Sequence, residues 1–184
     1  MAASRIGYIA CVETGGRYIG ALMVTDGAGI PLEFKYTEPI KPTRIQAILY
    51  GGALERYIKL EVIRRKLVKA LQNRPDVIFV DNADLSLLGP SEGIPVVALQ
   101  RARIPPIGGA GEIKKPKENE LIAQTQDGSD PLRLIFAGVE QDAIDRVGTL
   151  VIEAGRAADL AEPLERLEKA IDALLKDSSA KENG

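Results

Sequence analysis

The chain has no histidine and a single cysteine, Cys11. Lack of histidine removes the usual general base near neutral pH and excludes a Ser-His-Asp triad. One cysteine excludes an internal disulfide and leaves one thiolate for zinc. Cys11 lies in the apolar run Ile9–Val12, where it reads as a small buried hydrophobe. Aromatic residues make up only 4%. Tyr8, Tyr18, Tyr36, Tyr50 and Tyr57 therefore read as partly buried anchors more than as base-stacking platforms. No apolar run approaches the length that spans a bilayer, and Met1–Arg5 carries no apolar signal core. A cytoplasmic protein without membrane contact is expected. Charge of one sign is also missing. The net charge of -2 gives no global basic field, so nucleic acid would need a local patch. The chemistry left is that of carboxylates, lysine and tyrosine, or of Mg²⁺ or Mn²⁺ held by oxygen ligands.

What is present is an ordinary globular composition, 45% hydrophobic and 27% charged over 184 residues, enough for one α/β domain spanning residues 1–176. Two short runs apolar on both faces, Arg74–Asp81 and Gly93–Leu99, read as neighbouring strands of a parallel sheet. The loop between them holds Asp81, Asn82, Asp84 and Ser86, just beyond a strand's carboxyl end, where ligands of open α/β sheets tend to bind. Asx residues there equally satisfy a turn's own backbone.

Upstream, Ile6–Thr14, Tyr18–Thr25 and Ile30–Tyr36 read as antiparallel strands, the last two joined by the turn Asp26-Gly27-Ala28-Gly29. A helical stretch follows over 44–73, kinked at Gly51-Gly52, with Leu60, Ile63, Leu67 and Leu71 expected on the sheet. Residues 101–130 read as a long irregular loop, basic and rich in Gly and Pro. Leu132–Ala137 reads as a strand, and residues 139–176 hold helices over 141–158 and 162–176. Residues 177–184 read as a disordered tail. The expected class is a mixed sheet, with three antiparallel strands followed by parallel strands and flanking helices.

Two local basic patches stand out. Glu55–Arg74 carries seven positive residues against Glu55 and Glu61, readable as a solvated helix face with i,i+4 pairs. Within 101–117, Arg101, Arg103, Lys114, Lys115 and Lys117 face one acid, Glu112, beside Gly108-Gly109-Ala110-Gly111. Such a loop could hold phosphate, although the P-loop spacing is absent.

The strand Pro75-Asp76-Val77-Ile78-Phe79-Val80-Asp81, the loop after it and the Pro95-Val96-Val97 strand resemble endonuclease V. The element order resembles the ribonuclease H-like fold. Members of that fold hold two metal ions between carboxylates to cleave phosphodiesters. The resemblance makes Asp81 the acid ending the fourth strand and leaves Glu13 as the acid on the first. Asp84 is a supporting catalytic candidate, and Asp142, Asp145 and Asp159 could complete a cluster. Glu55 and Glu61 lie out of register for the family's helical glutamate, and Asn82 stands where the family has glycine. The expected function is thus a binding or assembly module of nuclease-like fold without catalysis, with nucleic acid or a second copy as partner. The alternative is a Mg²⁺- or Mn²⁺-dependent nuclease built on Asp81, Glu13 and Asp84, with the five basic residues of 101–117 gripping phosphate.

Overall fold

A computed structural model describes residues 4–81 and 87–182. Eight strands form one sheet: β1 (Arg5–Thr14), β2 (Arg17–Asp26), β3 (Pro31–Tyr36), β4 (Val77–Asp81), β5 (Val96–Arg101), β6 (Ile113–Lys117), β7 (Glu120–Ala123) and β8 (Leu132–Ile135). Their spatial order is β3-β2-β1-β4-β5-β8-β7-β6. The β1–β4 and β4–β5 pairings are parallel, and the pairings of β1 with β2, β2 with β3 and β5 with β8 are antiparallel. The mixed α/β class is as expected, but the parallel part ends at β5.

The sequence reading differs most over 101–130. The expected irregular loop contains the β6–β7 hairpin, which extends the sheet beyond β8. Its strands are short, and Pro116 and a register shift between Lys114 and Lys117 interrupt β6, which hides the strand periodicity. The C-terminal boundary also differs. Helix α5 (Glu162–Glu182) continues through most of the expected tail.

Between β3 and β4 runs an interrupted helix. It comprises α1 (Arg44–Tyr50), a 3₁₀ turn (Gly51–Ala53), α2 (Leu54–Tyr57), a π-helical stretch (Ile58–Arg64) and α3 (Arg65–Lys69). Thr43 starts it with a capping box, its hydroxyl accepting from the Gln46 N–H while the Gln46 side chain accepts from the Thr43 N–H. Gly51, at φ 50°, supplies the break. The π stretch puts Ile58 and Ile63, five residues apart, on the sheet together with Leu67 and Val68. Leu60 of the expected stripe is left out of that core, because a π turn advances the register past it. Gly20 on β2 lets this helix seat closely: a Cβ there would lie 2.1 Å from Ile63 Cγ2.

The sheet carries a core on each side. One joins Ile9, Leu22, Ile78, Val80 and Ala98 to Ile63 and Leu67 of the interrupted helix. The other joins Tyr8, Phe79, Leu99, Leu121 and Leu134 to α4 (Gln141–Gly155) and α5. The first covering is incomplete. Alternation along β5, β8, β7 and β6 turns Gln100, Arg133, Ile122 and Lys114 to the side away from α4, in one row fixed by the pairings Gln100↔Arg133↔Ile122↔Lys114. None of these four is buried. Among the described residues, half of the sheet therefore has a helix layer on one side only.

Candidate functional site

Asp81 is the last residue of β4, half-buried, at the carboxyl end of the parallel pair. A groove of about 810 Å³ opens beside it, lined by Asp81, Arg101, Arg103, Arg133, Glu165 and Glu168 among others. A smaller cleft next to it is lined by Ala10, Cys11, Lys59, Asp81 and Glu168. The acid that meets Asp81 is thus Glu168 on α5, which sequence reasoning missed. Its place inside the late-helix stripe of Leu164, Leu167 and Ile171 gave no signal until α5 was laid across β1 and β4. Burial, then the Asp81 charge, then Asp172 and Glu165, hold the Glu168 carboxyl above its ordinary value.

Glu13 goes elsewhere. Its carboxylate accepts the Gly16 N–H at 2.8 Å and caps the β1–β2 turn. The parallel register Tyr8↔Phe79, carried two residues on, sets Ala10 beside Asp81. The residue of β1 that faces Asp81 is therefore apolar, and Lys59, whose ammonium pairs with Glu55 at 2.8 Å, lines the same cleft. Asp84, Asn82 and Ser86 lie outside the described residues. Asp142, in the first turn of α4, and Asp145, which accepts from Gln141, belong to the helix start. Asp159 pairs with Arg101. Among the described residues no group of three His, Cys, Asp or Glu side chains could hold a metal ion. Among the described residues, Asp81 and Glu168 are the carboxylates that line this cleft, and Lys59 lines it with them.

The five basic residues of 101–117 separate into two sets. Arg101 is held by Asp159 and by Glu165 at 3.3 Å, which keeps its guanidinium above its ordinary pKa, and Lys115 is held by Gln141 at the start of α4. Both are turned to the helices. Lys114 and Lys117 lie on the open side, since they oppose Ile122 and Glu120 across β7. Lys114 and Arg103 have no acidic partner among the described residues, and both are exposed. Glu120, buried at the foot of this row, accepts from Arg133 Nε at 2.5 Å and lies 4.0 Å from Lys117, so these three groups keep one positive charge.

The basic helix face is mostly engaged. Lys59 pairs with Glu55 at 2.8 Å, Arg65 with Glu61 at 3.1 Å, and Lys69 approaches Glu92 at 3.8 Å. Arg64 reaches inward, donating to the carbonyls of Leu87 and Leu88 at 2.9 and 3.0 Å and fixing the return from the Asp81 loop.

No protein-family model matches the chain, and no curated protein matches it. Solved structures do. Endonuclease V from Streptomyces avermitilis superposes with a TM-score of 0.60 at 14% identity, over 96% of this chain and 83% of that one. A variant of Ciona intestinalis endonuclease V, in complex with a 23mer DNA containing an inosine followed by a ribo-adenosine, gives 0.56 at 11% identity, over 96% and 87%. A complex of endonuclease V from the same organism with a 24mer DNA gives 0.50 at 12% identity, also over 96% and 87%. No helix among the described residues is long and apolar enough to cross a membrane. The likeness extends over nearly the whole chain and identifies its architecture as the ribonuclease H-like fold that endonuclease V shares.

Proposed function

We propose that this protein binds nucleic acid through the open side of β5–β8–β7–β6 and does not hydrolyse it. The observation that carries the reading is the division of labour around Asp81. The β1 position facing it is Ala10 and Glu13 caps a turn, while Lys114, Lys117 and Arg103 remain exposed on an uncovered sheet and its rim. Cations spread over a flat polar face suit phosphates, which carry affinity without sequence information. No aromatic side chain stands in the Gln100–Arg133–Ile122–Lys114 row, so base stacking contributes little and backbone charge dominates. A nuclease superposing on the same architecture bound to DNA supports the choice of ligand class.

The alternative, cleavage assisted by Mg²⁺ or Mn²⁺, has one observation in its favour. Asp81 and Glu168 line the same cleft, and magnesium can be held by one or two carboxylates together with substrate phosphates. Charge reversal separates open-face binding from attachment elsewhere. Lys114→Glu with Lys117→Glu should abolish binding of a labelled oligonucleotide in fluorescence anisotropy. Arg56→Glu with Lys66→Glu, on the helix side, should leave it unchanged. Binding that ignores the first pair and follows the second would place the ligand on the helix and defeat the proposal.

A further inference from the structure

The two free edges of the sheet are built differently. At one end, β6 is exposed along its whole length and carries Lys114, Lys115, Pro116 and Lys117. Charge and a proline on an edge strand are how proteins discourage pairing with another chain. At the other end, β3 carries one charge of each sign, Glu33 and Lys35, around Phe34, and its proline, Pro31, stands at the strand's start. Leu32, Phe34 and Tyr36 are 45%, 39% and 53% exposed, and Phe34 and Tyr36 pack ring against ring at 5.8 Å. Ile30 just before them is 60% exposed.

The backbone of β3 is oriented to match. The Thr37 N–H donates to the Gly20 carbonyl at 2.9 Å, which sets the phase of the ladder. In the register Leu22↔Lys35, Met23↔Phe34 and Val24↔Glu33, Lys35 and Glu33 turn their amides and carbonyls to β2. Those of Phe34 and Tyr36 point outward. The residues with outward backbone groups are therefore also residues with exposed aromatic side chains.

We infer that this edge pairs with β3 of a second copy of the chain, antiparallel about a two-fold axis at Phe34, joining the two sheets into one. Charge selects this register. With Phe34 opposite Phe34 of the second copy, each Glu33 stands across from the other chain's Lys35. Moving the axis one residue sets Lys35 against Lys35, which is repulsive. Lys35 already reaches its own Glu33 at 3.5 Å and is 36% exposed, so it can exchange that partner for the one across the axis. The aromatic residues stay on one side of the joined sheet, and the ion pairs stay on the other. A β-bulge between Val24 and Thr25 ends the regular ladder at Leu32 and limits the paired stretch to the centre of the strand.

The test is the mass in solution, by size-exclusion chromatography with light scattering across a dilution series of the full chain. Wild type should give twice the mass of one chain at high concentration. Phe34→Lys, which sets like charges on the axis, and Lys35→Glu, which sets an acid against Glu33, should each give the single-chain mass. Circular dichroism of both variants should match wild type. Ile48→Lys, which removes an exposed apolar side chain of α1, should remain a dimer. A wild type that stays monomeric throughout overturns the inference. So does a dimer lost in Ile48→Lys and kept in Phe34→Lys and Lys35→Glu.

Discussion

Salt dependence tests the open face quantitatively. Three cations are placed to meet phosphates: Lys114, Lys117 and Arg103. Arg133 is excluded because Glu120 holds it at 2.5 Å, and Arg101 because Asp159 and Glu165 hold it. Three phosphate contacts on duplex DNA give a slope of log K against log salt of about −2.7, and about −2.1 on a single strand. Raising salt from about 50 to about 200 mM should then weaken duplex binding roughly 40-fold. Replacing Lys114 and Lys117 by alanine leaves one contact, so the slope should shrink to about −0.9 and the same salt change should cost only about fourfold. The assay is anisotropy of a labelled duplex titrated at several salt concentrations. A wild-type slope near zero, or one unchanged in the double variant, would refute the assignment of phosphates to this face.

Other consequences follow from particular contacts. Burial raises the Glu33 carboxyl, but the N–H groups of Asn73 and Gln72 at 2.7 and 3.1 Å outweigh it and hold the group below its ordinary value. Its stabilisation is thus present at neutral pH and lost as pH falls through the folded-state titration. Glu33→Ala should cost about 1–3 kcal/mol at pH 7 in urea unfolding, with the gap closing in acid. Glu168 has the opposite sign: its raised carboxyl stabilises only where protonated, and the charged form is disfavoured beside Asp81. Glu168→Gln should raise the unfolding temperature at neutral pH and lose that advantage below about pH 4. Gly20→Ala drives a methyl into Ile63 and should cost about 1–3 kcal/mol. Combining it with Ile63→Ala should recover part of that loss in a double-mutant cycle, and additive losses would place the clash elsewhere.

The fold was legible in the sequence where periodicity was strong. The β-branched runs ending at Asp81 and Leu99 are β4 and β5, and the turn Asp26–Gly29 joins β2 to β3. Short interrupted strands were not legible. Lys114-Lys115-Pro116-Lys117 reads as a polar loop because an edge strand disguises its pattern with the residues that protect it. The site was half legible. Asp81 ends β4, where strand-end logic puts it, but nothing in the spacing of Glu13 shows that its carboxylate caps Gly16. Glu168 is a surface residue of an amphipathic helix until packing brings it to Asp81. The basic residues of 101–117 could be counted but not sorted, because which face each takes depends on the β6–β7 register.

The most direct test of binding without hydrolysis is to incubate the protein with end-labelled single-stranded and duplex DNA and RNA, in Mg²⁺ and then in Mn²⁺. Binding and strand length are read from the same samples. Retained complexes on intact strands in both metals are the predicted result. Shortened strands whose appearance is abolished by Asp81→Asn would contradict it, and would make Asp81 and Glu168 the carboxylates of a working nuclease.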